Sequence, residues 1–133
     1  MNTGDDPVFL SVEEVLEIQA MMLETHGGQT GIRDRSSLES AVGMAAQTFG
    51  GQFVHAGVFE MAAAYAFHIA ENQPFVDGNK RTGLAAALTF LRINGVSIVD
   101  PSGRLYGAMI AFATHELDKP GLAKLLGELV LEE

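Results

Sequence analysis

Two strongly apolar helical segments, separated by a short break, constrain the fold of this chain most. From Val58 to about Asn72 nearly every residue is apolar or small, which predicts a helix buried on most of its sides. Pro74 and Gly78 interrupt the pattern, and a second apolar helix is predicted to follow and to end at Gly95. The first helix is therefore expected at the centre of the fold, with the break between two buried helices.

Two capping boxes, each a serine followed three residues later by a glutamate, predict two further helix starts. The pairs are Ser11 with Glu14 and Ser36 with Glu39. The first of these helices is expected to end at Gly27, and the second at about Gln47.

The remaining segments complete a small helical fold. Residues 49–57, FGGQFVHAG, are typical of an exposed loop or short hairpin, while residues 104–117 and 120–133 predict two closing helices, with Pro120 in the first turn of the last. We therefore predict an all-α fold of about six helices with a short flap loop or hairpin. A chain of 133 residues can bury one core of good size, so residues 1–133 are interpreted as a single domain.

The composition argues against several classes of function. The formal net charge is −9 and no basic stripe interrupts it, which disfavours binding to nucleic acid. The chain has no cysteine, which excludes disulfides and thiolate chemistry. It also shows no membrane-spanning apolar run and no signal-like start. We expect a soluble, cytoplasmic protein that does not associate with membranes.

The segment Phe75–Arg81 places an acid, a glycine, an amide and two cations at the start of a helix. Helix N-termini bind anions through backbone N–H groups that lack internal partners. Gly78 would let a phosphate approach the backbone closely, Lys80 and Arg81 would add positive charge, and Asp77 would hold Mg²⁺. The pattern predicts a phosphate or nucleotide site. The alternative is a capped helix start whose acid and bases pair on the surface.

The same segment resembles a known family signature. NQPFVDGNKRTGLAAALTFLRINGV is similar to the Fic signature, in which His-Pro-Phe, one residue, Asp or Glu, Gly-Asn, Gly or Lys, and Arg precede a helix. The segments FLSVEEVLEIQ, GIRDRSSLESAV and QTFGGQ also look like the opening segments of the Doc subgroup. The similarity therefore covers most of the chain.

The resemblance implies specific roles for the residues of the loop. Phe75 would anchor the loop in the core, Asp77 would hold Mg²⁺, Gly78 and Asn79 would form an anion cradle, and Lys80 and Arg81 would bind the phosphates of ATP.

The resemblance also implies an activity. Doc-type proteins are toxins of toxin–antitoxin modules that transfer the terminal phosphoryl group of ATP to a Ser or Thr hydroxyl of a translation factor, and their antitoxin lays a helix over the active-site groove. Many adenylylating Fic proteins have glycine at Lys80 and a second arginine at Leu84, so both residues here favour the Doc subgroup. The inhibitory Ser/Thr-x-x-x-Glu-Gly/Asn motif of self-restrained Fic proteins is absent, which favours a separate antitoxin.

The chain departs from the signature at its general base, because Gln73 stands where the family has histidine. A glutamine amide cannot accept a proton near neutral pH, so transfer would be slowed by a factor of roughly 10² to 10⁴. The substitution is open to three interpretations: a deliberate change, a natural inactivation, or a natural variant that depends mainly on positioning. Two other functions stay open, namely AMP transfer and an inactive fold that only binds partners.

The four histidines offer few substitutes for that base. At about 100° per residue, His68 lies roughly 140° around the helix from Gln73 and should face elsewhere, as a core or partly buried residue. His55 lies in the flap segment, where it is either a substrate contact or an ordinary exposed residue. His26 fits a helix C-terminus, and His115 belongs to no motif.

Two charged residues before the second helix are assigned to structure. Arg33 and Asp34 are expected to fix their loop to the core by hydrogen bonds in preference to contacting a nucleotide.

Overall fold

Six helices and one small hairpin make up the fold in the computed structural model, which describes residues 6–131. The elements are α1 (Val12–His26), α2 (Arg35–Gly43), β1 (Thr48–Phe49), β2 (Gln52–Phe53), α3 (Val58–Asn72), α4 (Asn79–Ile93), α5 (Arg104–Ala113) and α6 (Lys119–Glu128). The prediction of an all-α fold with a short hairpin is confirmed. None of the helices within the described residues combines the length and the apolar character needed to cross a bilayer.

Helix α3 lies at the centre and contacts α2, α4, α5 and α6. Its most extensive contact is with α4, and the two helices approach each other closely at Gly83. A Cβ atom on Gly83 would lie 2.8 Å from the backbone oxygen of Ala66, closer than real Cβ contacts allow. The absence of a side chain therefore lets the two helix backbones approach each other at the point where the chain has just left the signature loop.

The predicted capping box at Ser11 is present, whereas the one predicted at Ser36 is absent. At α1, the Ser11 hydroxyl accepts from Glu14 N and the Glu14 carboxylate accepts from Ser11 N. At α2, the N-cap is Asp34, whose Oδ1 accepts from the backbone N–H groups of Ser36 and Ser37 at 3.0 and 3.3 Å. Hydrogen bonds from Ser37, and to a smaller extent from Ser36, hold the pKa of Asp34 below its ordinary value. A carboxylate two residues upstream thus replaces Ser36 as the cap.

The flap segment forms a hairpin rather than an open loop. Strands β1 and β2 are antiparallel, with Thr48 opposite Phe53. The turn between them is Gly50-Gly51, with φ of 61° and 80°, which are the positive values that a tight hairpin turn needs.

The last predicted helix is shorter than expected. Pro120 lies in its first turn as predicted, but α6 ends at Glu128, and Val130 pairs with Ile98 in an isolated antiparallel bridge. The extended backbone there offers partners to the 96–99 segment that a continuing helix would not. The prediction for residues 132–133 lies outside the described residues, as do residues 1–5.

Candidate functional site

The signature loop between α3 and α4 is held by the segment that precedes α2. Ile32 and Phe75 form an antiparallel bridge. Arg33 N donates to Pro74 O at 2.7 Å, and Val76 N donates to Gly31 O at 3.0 Å. The Gly-rich stretch before α2, which the sequence presents as a polar loop, therefore acts as a strand-like brace for the residues that carry the candidate chemistry.

The loop is closed on itself by Asn79. Its Oδ1 accepts from Phe75 N and its Nδ2 donates to Phe75 O, both at 3.0 Å. The Phe75 ring is only 1% exposed, in agreement with the anchoring role that the resemblance implies. The Asn79 side chain is thus used mainly to hold the loop, and its backbone N–H and second amide hydrogen are left for an anion.

Helix α4 begins without a side-chain cap, at Gly78, whose φ is 80°. The left-handed conformation is costly for other residues, and glycine adopts it without strain. The first intrahelical bond runs from Thr82 N to Gly78 O at 2.8 Å. The N–H groups of the first turn thus have no carbonyl partner within the helix and carry the positive end of its dipole.

The residues of this first turn line a groove of about 440 Å³, which suits a small-molecule ligand in size. Its polar lining comprises Gln73, Asp77, Gly78, Asn79, Lys80 and Arg81, and its apolar lining includes Leu84, Tyr106, Met109 and Ile110. The structure thus brings together all of the predicted polar site residues along one groove, with the buried Phe75 beneath them.

The cations at the helix start are available to a ligand. Lys80 and Arg81 are exposed, and within residues 6–131 neither takes part in an ion pair. Asp77 instead accepts from Gln29 N through Oδ2 at 2.9 Å. The alternative in which the acid and the bases pair with each other on the surface is therefore wrong.

Asp77 is a single carboxylate and not part of a protein cage for a metal ion. In the part of the chain that the structure describes, no group of three or more His, Asp or Glu side chains converges on one point. Mg²⁺ in nucleotide sites commonly uses one or two carboxylates, with phosphate oxygens and water as its other ligands. The residues present thus fit a magnesium ion that arrives with a nucleotide, and not a structural metal.

Gln73 caps the C-terminus of α3 in the left-handed conformation, with φ of 47°. The guanidinium of Arg33 donates to Gln73 O at 2.7 Å and to Asn72 O at 2.9 Å. Both acceptors are carbonyls at the end of a helix, where a cation is favoured. The prediction that Arg33 fixes its loop by hydrogen bonds is confirmed, and the loop that it fixes is the one that presents Gln73 to the groove.

The sequence matches the Fic/DOC family over residues 9–91, a span that contains α1 to α3, the signature loop and most of α4. The chain belongs to the Fic/DOC family.

Curated relatives agree with this membership and indicate its Doc subgroup. Over 117 residues the chain is 39% identical to "Toxin Doc" of Mycolicibacterium smegmatis, and the match covers 86% of this chain and 88% of that protein. Over 120 residues it is 32% identical to "Protein kinase doc" of Escherichia phage P1, which covers 90% of this chain and 94% of that protein. The resemblance drawn from the signature is thus confirmed as Doc-type membership.

Two histidines of this Fic/DOC chain meet a lysine away from the groove. Lys119 Nζ lies 3.0 Å from His68 Nε2 and 3.4 Å from His55 Nε2. Burial, with Lys119 next, lowers the pKa of His68 to about 4 and lowers that of His55. The prediction that His68 faces elsewhere and is partly buried is confirmed, while the interpretation of His55 as an ordinary exposed residue is wrong.

His26 lies where the sequence placed it, at the last residue of α1, with Nδ1 3.3 Å from Met22 O. The sequence reasoning missed the contact of α6 with the flap through Lys119, since no local pattern links residues 55 and 119. It also missed the position of His115, which lines a smaller cavity together with Gln73.

Proposed function

We propose that this chain is a Doc-type toxin that transfers the terminal phosphoryl group of ATP to a Ser or Thr hydroxyl of a translation factor. The observation that carries the proposal is the uncapped start of α4, where Lys80 and Arg81 face a groove without carboxylate partners. Family membership supports it, as do the printed names of the relatives, one a toxin and the other a protein kinase.

The groove suits a triphosphate in charge as well as in size. The backbone N–H groups after Gly78 would contact phosphate oxygens, while the guanidinium of Arg81 can bind two of them at once. Lys80 adds a second full charge against the strongly acidic background of the chain. Asp77 would hold Mg²⁺, which when bound neutralises charge on the phosphates.

The chain has a specific weakness at Gln73. In the transfer, the acceptor oxygen bonds to the terminal phosphorus, the bond to the bridging oxygen breaks, and ADP leaves with that electron pair. The hydroxyl proton must be accepted, and the Gln73 amide can only hydrogen-bond to the hydroxyl and orient it. We therefore expect the transfer to be slower by roughly 10² to 10⁴ than with histidine at this position.

The apolar residue Leu84 in the lining of the groove favours phosphoryl transfer over AMP transfer. Leu84 contributes an apolar side chain to the groove, at the position where the resemblance places a second arginine in adenylylating proteins. Without that cation, the reversed placement of the phosphates that AMP transfer requires has less electrostatic support.

Two surface features suit the protein partners implied by this function. Tyr106 and Ile110, on α5, line the groove with 69% and 48% of their surface exposed, and such an apolar rim suits the helix of an antitoxin. The hairpin carries Phe49 at 85% exposure. An exposed two-stranded hairpin can pair with an extended segment of a protein substrate.

The experiment compares the chain with Gln73→His in a purified translation mixture that contains ATP and Mg²⁺. Protein synthesis and the mass of each translation factor are followed together. We expect the Gln73→His form to stop synthesis and to leave a phosphate adduct on one factor. A Gln73→His/Arg81→Gln double variant is the control, and it should lose the adduct because phosphate binding is weakened.

Each other outcome decides against part of the proposal. An AMP adduct would replace kinase activity with adenylylation. Tight binding to a partner without any adduct, in the presence of histidine at position 73, would mean that the chain is a binding module and not a transferase.

A further inference from the structure

A smaller cavity, of about 200 Å³, opens beside the groove. Gln73 and Lys80 line both spaces, so the smaller cavity shares the part of the site where an acceptor hydroxyl would meet the phosphate. Its other lining includes Glu71 from α3, Phe112 from α5 and His115 from the turn that follows α5. His115 therefore lines a cavity that is also lined by Gln73, the residue in the place of the family's histidine.

The backbone singles out the same two residues. Within residues 6–131, Gln73 and His115 are the non-glycine residues with positive φ, at 47° and 60°. Such conformations cost about 1 to 3 kcal/mol and persist where surrounding contacts hold them, often at active sites. Gln73 is held by the bond from Arg33 to its carbonyl oxygen, and His115 N donates to Phe112 O at 3.0 Å. Both residues of this kind line one cavity.

The other histidines are not candidates for the same role. His26 ends α1, and its ring contacts Met22 O. His55 and His68 face Lys119, and neither lines the groove or the smaller cavity. His115 is exposed to solvent and, unlike His55 and His68, lines the cavity beside the groove.

We propose that His115 accepts the proton of the acceptor hydroxyl, in place of the missing histidine at position 73. This inference rests on the proposed phosphoryl transfer. The acceptor oxygen attacks the terminal phosphorus of ATP, its proton passes to an imidazole nitrogen of His115, and ADP leaves with the electrons of the broken bond. Gln73 orients the hydroxyl through a hydrogen bond, and Glu71 supplies a negative charge in the cavity where the imidazolium forms.

The test is a two-by-two comparison of the chain, His115→Asn, Gln73→His and the double variant. Asparagine tolerates the left-handed conformation and has no basic nitrogen, so the turn should be retained, and the melting temperature verifies this. Each protein is incubated in a purified translation mixture with Mg²⁺ and ATP labelled at the terminal phosphate, and the initial rate of protein-bound label is measured.

We expect His115→Asn to lower the rate by roughly 10- to 100-fold when residue 73 is glutamine, and by less than about threefold when it is histidine. The matched control, His26→Asn, should change neither rate. The pH–rate profile is the second readout. The limb assigned to imidazole should be lost in His115→Asn, whereas the other charged groups near His115, which are Glu71, Lys80 and Glu116, are left in place.

The outcomes separate this inference from the function on which it rests. If the unaltered chain transfers label more than about 10⁴-fold more slowly than Gln73→His, or if His115→Asn keeps the rate and pH profile of the unaltered chain, the role of His115 is refuted and the kinase proposal stands. If no protein of the four transfers label, the kinase proposal fails and the inference fails with it.

Discussion

Acidification from pH 7 to pH 5 should weaken the packing of α6 on α3, because imidazole groups there face Lys119. His68 Nε2 lies 3.0 Å from Lys119 Nζ, and the same ammonium group lies 5.4 Å from the centre of the Phe67 ring. The charged groups that face His68 and His55 are Lys119 and, on the side of His55, Glu60. A proton added to His68 would create a half-buried cation beside another cation.

The size of the effect follows from the difference in pKa between the folded and unfolded states. The pKa of His68 falls from 6.5 in the unfolded chain to about 4 in the fold. Since the folded pKa is depressed, the unfolded state binds more protons between these values, and stability is lost as the pH falls from 6.5 towards 4. If His68 were completely shielded from solvent, the loss of unfolding free energy between pH 7 and pH 5 would be about 2 kcal/mol. Solvent screening at a half-buried site reduces it to about 1 kcal/mol.

The assay is urea unfolding at pH 7 and pH 5, followed by circular dichroism. For His68→Gln, the loss of unfolding free energy between the two pH values should be smaller than for the unaltered chain by about 1 kcal/mol. Lys119→Met should remove only part of the effect, because burial lowers the pKa of His68 more than Lys119 does. If the chain and His68→Gln lose the same free energy between pH 7 and pH 5, protonation of His68 does not cause the loss.

Two further predictions concern the loop and the helix that follows it. Asn79→Ala should leave Phe75 N and O without their partners and lower the unfolding free energy by about 1 to 3 kcal/mol. It should also weaken ATP binding roughly tenfold in a fluorescence titration. Unchanged binding would mean that the loop does not need the hydrogen bonds of Asn79 to hold its shape. Gly83→Ala gains helix propensity, but its Cβ would meet Ala66 O, so calorimetry should show a loss of about 1 to 2 kcal/mol, and a rise in melting temperature would contradict the contact.

The central helices could be predicted closely from the sequence because burial dictates their composition. The predicted span of α3, Val58 to about Asn72, agrees with the structure, and the N-cap at Ser11 depends only on residues within one turn. The all-α fold and the groove-lining residues of the signature followed from the same local patterns.

The errors arose where a partner distant in sequence decides the conformation. The cap of α2 is an exception, since Asp34 is a local N-cap residue that the sequence itself offers, although its backbone N–H bond to Pro74 O at 3.1 Å is long-range. Val130 leaves the helix to pair with Ile98. Likewise, the helical-wheel argument treated Gln73 as a helical residue of α3. In the structure Gln73 is the C-cap of α3 in the left-handed conformation, and its carbonyl oxygen accepts from Arg33. The single-domain prediction and the expected absence of nucleic-acid binding stay predictions.

The close contact of Gly83 with Ala66 has a consequence for how the site selects its ligands. Two helices that meet backbone to backbone cannot slide or separate without opening a gap in the core, and the loop between them is also braced by Ile32. A loop held in this way is preorganised for the phosphates that the proposed function requires. Under the proposed function, partners can then change through substitutions in the exposed rim residues Tyr106 and Ile110, while the loop that would bind phosphate keeps its conformation.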